Sequence, residues 1–172
     1  MFRNSPNRFP RRVQQWLLIL LVTLGAATVR AEPGMNTLDG KPMSLNALSE
    51  PGTWTVVMFW STTCHICDIE IPKYSVLDQT EGSNIKVKGV ALDGTRNVAN
   101  VRRYIRDHSV TFDNYVTDPL QMRAEYEAAA SESILGTPTF WLYSPEGKLV
   151  GINPGPLKIA SLKKFIARKS AR

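Results

Sequence analysis

The chain of 172 residues is 43% hydrophobic and 21% charged and holds two cysteines, which suits one globular domain of ordinary size and leaves no room for a large second one. That balance excludes a disordered or collagen-like chain, and the lack of any internal repeat excludes a repeat array. A net charge of +6 would suit a nucleic-acid or anionic-membrane partner if the charge were spread through the fold. Instead Arg3, Arg8, Arg11, Arg12 and Arg30 all fall within residues 1–31, which carry no acid, so the remainder has 16 cations against 15 anions. Lys158, Lys163, Lys164, Arg168, Lys169 and Arg172 crowd the last fifteen residues, where a solvated helix face accounts for them, and no nucleic-acid partner is expected.

Met1 to Arg12 is polar and basic, Trp16 to Val29 is an unbroken apolar or small-residue run, and Val29-Arg30-Ala31 puts small residues where a signal peptidase cuts. The segment reads as a secretory signal peptide cleaved after Ala31. The alternative is a retained anchor, but fourteen residues at 1.5 Å each reach only about 21 Å into a hydrocarbon core near 30 Å. Either way the arginines stay in the cytoplasm and residues 32–172 form an exported domain, in a bacterial periplasm or an equivalent space. Membrane association is expected only through an uncleaved N-terminal segment.

Asp39-Gly40 marks a small turn leading into the domain. Thr53–Trp60, β-branched and aromatic after Pro51-Gly52, reads as a buried strand. Ile66, Ile69, Tyr74 and Leu77 recur at helical spacing from about Cys64, and Ile85–Leu92 reads as a second core strand. Asn97–Asp107 predicts a polar helix with Val98, Val101 and Ile105 on one stripe and Asn97 able to cap it. Asp118-Pro119 opens another helix, through about Ala130, with the acid at the cap and proline in the first turn. Thr139–Tyr143, the Ser144–Gly147 turn and Lys148–Ile152 form a hairpin, and Pro156–Arg168 is a final amphipathic helix facing inward with Ile159, Leu162, Phe165 and Ile166. The alternation implies an α/β fold, a central mixed β-sheet covered by helices.

Chemistry concentrates at one strand-to-helix junction. Cys64-His65-Ile66-Cys67 opens the first helix, where unpaired N–H groups and the helix dipole favour a thiolate at Cys64. The i, i+3 spacing keeps both sulfurs on one face, close enough to bond, so the pair can cycle between dithiol and disulfide. An inert bridge is a poor staple over so short a loop, and zinc normally wants four ligands where only His65 and the distant His108 are left to add. His108, the methionines and the scattered aromatics read as surface or core.

Phe59-Trp60-Ser61-Thr62-Thr63-Cys64-His65-Ile66-Cys67, then Glu70-Ile71-Pro72, then Gly136-Thr137-Pro138-Thr139-Phe140, then Pro145-Glu146-Gly147-Lys148, resembles the thioredoxin superfamily, in its TlpA, ResA and CcmG branch of membrane-tethered or periplasmic disulfide reductases. A lone CxxC is weak evidence. A CxxC with a proline five residues on and a Thr-Pro before a late strand is specific. The likeness covers about residues 36 to 168 and implies a thioredoxin-like fold, a mixed sheet with helices on both faces. It also implies Cys64 as attacking cysteine, Cys67 as resolving cysteine and Pro138 as a cis-proline facing the site. Trp60, His65, Thr137 and Pro138 would then line the surface that meets substrate.

By the same likeness Glu70, i, i+3 from Cys67, serves as acid or base for the less exposed thiol; the plain alternative is a solvated surface glutamate. Protein disulfides are the implied substrates, apocytochrome c or another exported protein among them. A membrane electron donor of the DsbD or CcdA type is implied, and no cofactor and no resident metal. The direction leans to reduction, with disulfide oxidation or isomerisation as alternatives. A second class of function is a copper-handling module built on Cys64, Cys67 and His65, since soft thiolates suit Cu(I). The chain departs from the branch at Thr63, where tryptophan is usual, and at His65-Ile66 in place of Gly-Pro or Glu-Pro. Arg123–Leu135 also looks a few residues longer, which would put extra surface beside the Thr137-Pro138 loop. A histidine beside the nucleophile can stabilise its thiolate and make the disulfide more oxidising; the plain alternative is an exposed neutral imidazole.

Overall fold

Strand β3, Trp54–Trp60, is buried at every position, which is why its sequence is a continuous apolar run rather than an alternation. Trp54, Val56, Met58 and Trp60 point into one core cluster and Val57 and Phe59 into another, so the strand is covered on both faces. The computed structural model describes residues 34–80 and 82–171. The leader or anchor expected over residues 1–31 lies outside the described residues.

Around β3 the other elements fall in order. Strands β1 (Met35–Thr37) and β2 (Pro42–Met43) form a hairpin whose turn needs Gly40 at φ +82°, and a short 3-10 helix follows at Leu45–Leu48. After β3 come helix α1 (His65–Asp78), strand β4 (Ile85–Ala91), helix α2 (Val98–Asp107) and strand β5 (Asp113–Val116). Helix α3 (Pro119–Ala130), the hairpin β6 (Thr139–Tyr143) and β7 (Leu149–Pro154), and helix α4 (Ile159–Ser170) complete the chain. The seven strands run β2-β1-β5-β4-β3-β6-β7, with β3, β4 and β5 parallel and the remaining neighbours antiparallel. This is the mixed sheet of a thioredoxin-like fold. Side chains of α1, α2 and α4 pack one face, and α3 with the 3-10 helix packs the other.

Five elements differ from expectation. β1, β2 and β5 are only three, two and four residues long, too short for an alternation to register, and their pairing is decided by neighbours distant in sequence. Asn97 stands at the start of α2 without capping it, because its amide donates back to the Asp93 carbonyl at 2.6 Å. α4 begins at Ile159 rather than Pro156. Lys158 is still extended, and beside it the Leu157 carbonyl accepts the Tyr74 hydroxyl at 2.8 Å. Asp118 caps α3 as expected, its carboxylate accepting from the Leu120 N–H at 3.0 Å. On α4 the cations Lys163, Lys164, Arg168 and Lys169 are exposed.

Candidate active site

β3 ends at Trp60, and three residues later the chain turns into α1 with Cys64 at the helix cap. The loop is tied from both sides. Cys64 N–H donates to the Ser61 carbonyl at 3.1 Å, and Thr62 donates its N–H at 3.1 Å, and also its hydroxyl, to the Asp93 carboxylate beyond β4. The Cys64 sulfur accepts from the Cys67 N–H at 3.2 Å, so a capping role that normally falls to Ser, Thr, Asp or Asn is here taken by a cysteine sulfur. Cys64 and Cys67 are bonded to each other, with Cα atoms 5.2 Å apart. Their environments differ: Cys67 is fully buried against the sheet, whereas Cys64 is partly exposed.

Beneath the loop, Gly89 of β4 leaves room that a β-carbon would fill. The Trp60 indole occupies it, donating to Asn114 Oδ1 at 3.0 Å. Trp60 was expected on the substrate surface, and this is a correction: it is wholly buried, because it shares the inward parity of Trp54, Val56 and Met58.

Glu70 is buried, 6% exposed, rather than solvated on the helix surface. It accepts from Lys73 Nζ at 2.7 Å, a partner one turn away that the i, i+3 spacing could have revealed. Burial, and then the Glu70 charge, push the Tyr74 hydroxyl well above the usual tyrosine range. His65 is outermost, its side chain 88% exposed with Nδ1 3.8 Å from Asp68 Oδ2. Among the described residues, no three Cys, His, Asp or Glu side chains gather in a metal-binding cluster.

The antiparallel pairing of β6 with β3 sets Thr139 opposite Phe59, which brings Thr137 and Pro138 level with the β3–α1 loop. The Thr137–Pro138 peptide bond is cis, Pro138 is buried and Thr137 is partly exposed. Beside them Leu135 is 83% exposed, and Ile66 and Ile69 of α1 are also exposed, which gives this end of the sheet an apolar rim. α3 ends at Ala130 with Ser131 in the left-handed conformation, so the stretch that looked long is a helix end followed by an exposed loop. Asp68, Asp93, Tyr104, Lys73 and Asn114 were not anticipated here, since apart from the helix spacings nothing local joins them to the cysteines.

The chain matches the sequence profile of the AhpC/TSA family over residues 27–152. It belongs to that thioredoxin-like family. It is similar to sporulation thiol-disulfide oxidoreductase A of Bacillus subtilis, 25% identical over 133 residues, which cover 76% of this chain and 75% of that protein. It is also 30% identical over 82 residues to methylamine utilization protein MauD of Methylobacillus flagellatus, over 48% of this chain but only 38% of that protein. Among solved structures, a thiol:disulfide interchange protein of the thioredoxin family from Chlorobium tepidum superposes with a TM-score of 0.61 at 25% identity, covering 83% of this chain and 98% of that one. The thioredoxin-superfamily likeness read from the motifs therefore holds, and with it a family of redox enzymes that act on protein thiols. Among the described residues no helix is long and apolar enough to cross a membrane.

Proposed function

We propose that the protein is an exported thiol-disulfide oxidoreductase that reduces disulfides in other exported proteins of a bacterial periplasm. The observation that carries this reading is the bonded Cys64–Cys67 pair at the start of α1, with one sulfur reachable and the other buried. In the reduced protein, Cys64 thiolate, favoured by the helix N-terminus, attacks one sulfur of a substrate disulfide. The Cys64–substrate bond forms, the substrate S–S bond breaks, and the departing sulfur takes up a proton. Glu70 then accepts the Cys67 proton, and the Cys67 thiolate attacks Cys64 Sγ. The second substrate thiol leaves and the Cys64–Cys67 bond forms, two electrons having passed to substrate. The extended substrate chain lies along the backbone at Thr137 and Pro138, beside Ile66, Leu135 and the exposed His65. A membrane donor of the DsbD or CcdA type returns the electrons, and apocytochrome c is a fitting substrate class.

The asymmetry of burial gives the test. With a disulfide-bonded protein as substrate and dithiothreitol as electron source, Cys64→Ala should abolish turnover. Cys67→Ala should instead accumulate a mixed disulfide visible by non-reducing mass spectrometry. Full activity in either variant would overturn the assignment.

A further inference from the structure

One helical turn below Cys64, α1 carries a second carboxylate that the exchange steps leave unused. Asp68 holds the i+4 position from Cys64, its N–H donating to the Cys64 carbonyl at 3.3 Å, so the two side chains share a helix face. The carboxylate is tethered from another helix: the Tyr104 hydroxyl of α2 donates to Asp68 Oδ1, while His65 lies at Oδ2. Tyr104 is itself clamped, its ring tilted against Trp60 at 4.9 Å between centroids, with His108 stacked on it at 3.8 Å. Both histidines of the chain thus meet the same Asp68–Tyr104 pair. Burial, and then the bond to Asp68, hold the Tyr104 phenol above its ordinary range, which keeps it a donor throughout the neutral region.

We infer that Asp68, held by Tyr104, is a positioning residue that sets how strongly reducing the Cys64–Cys67 pair is. A negative charge one turn from Cys64 opposes the thiolate that the helix N-terminus favours. Because thiolate stability favours the dithiol state over the disulfide, the carboxylate moves the equilibrium toward the disulfide and makes the dithiol a better electron donor. It also lies 3.8 Å from Nδ1 of His65, the imidazole next to Cys64 in the chain, and so competes with the sulfur for that ring. The inference rests on the exchange reading above and names its regulator.

The test equilibrates the full chain with glutathione buffers at neutral pH and counts alkylated cysteines. Asp68→Asn should shift the equilibrium toward the dithiol roughly three- to tenfold, as expected for a like charge one helical turn away in a solvent-screened site. Asp68→Lys should shift it further in the same direction. Tyr104→Phe should move it the same way by less, and should add nothing in an Asp68→Asn background. If Asp68→Asn and Asp68→Lys both stay within about twofold of the wild type, or shift it equally, charge at this position does not tune the pair and the inference is overturned. A wild-type pair that fails to exchange at all overturns the exchange reading, and the inference with it, and is distinguished by the parent protein alone.

Discussion

The two faces of the sheet are built for different ends. On the α3 face, Phe59, Tyr126, Trp141 and Tyr143 form an aromatic cluster, with Phe59 edge-on to Tyr126 and Trp141 at 5.4 and 5.1 Å, and the Trp141 indole donating to the Tyr126 hydroxyl at 3.1 Å. There Glu125, partly buried, accepts from the Gly34 and Leu45 N–H groups and so fastens the first hairpin and the 3-10 helix to α3. On the α1 face Glu70, three residues on from Cys67, and Asp68, four on from Cys64, are held by Lys73 and Tyr104. Hydrogen-bonded carboxylates appear on both faces, with Glu70 buried and Glu125 and Asp68 partly exposed. What differs is the partner: backbone N–H groups of distant segments for Glu125, and the side chains of Lys73 and Tyr104 for Glu70 and Asp68.

Breaking the first face should leave the second working. Phe59→Ala removes a wholly buried ring and should destabilise the protein by about 3–5 kcal/mol, read by denaturant unfolding, with the Cys64–Cys67 equilibrium unchanged. A change in that equilibrium would mean the faces are coupled through β3. Alkali should instead act on both faces alike, because Tyr74 on one and Tyr143 on the other are each raised above 10.0, by burial first and then by Glu70 or Glu125. Their unfolded counterparts ionise near 10 while the folded ones stay neutral, so stability is untouched below that pH. Above it stability falls by up to about 1.4 kcal/mol per pH unit for each group. Tyrosinate absorbance should accordingly appear together with loss of structure in an alkaline titration rather than before it. The smallest effect belongs to the second face alone: Glu70→Gln should slow exchange about tenfold near neutral pH with little loss of stability. An unchanged pH profile of the exchange rate would reduce Glu70 to a partner of Lys73.

Much of this was legible in the chain because the signals were local. The Asp118-Pro119 helix start, the apolar run of β3 and the cysteine spacing each sit within a few residues, and each holds. Trp60 shows a signal that was present and overlooked, since its parity with Trp54, Val56 and Met58 already placed it inside. Asp93, Asn114 and Tyr104 carried no such signal. Asp93 follows β4, Asn114 lies on β5 and Tyr104 on α2, and they reach Thr62, Trp60 and Asp68 only once the parallel strands are side by side. The burial of Glu70 likewise follows from which face of α1 meets the sheet.

The same parity supplies the reporter for the central claim. Trp60 lies under the active-site loop, whereas Trp54 sits at the far end of β3, about 20 Å away over six residues, so redox-linked fluorescence should come from Trp60. The reduction potential of the full chain, read from that fluorescence against a glutathione and dithiothreitol series, should lie near or below about −220 mV, as a reductase supplied by a membrane donor requires. A potential near about −120 mV would contradict the reducing direction and make the protein an oxidant of exported thiols.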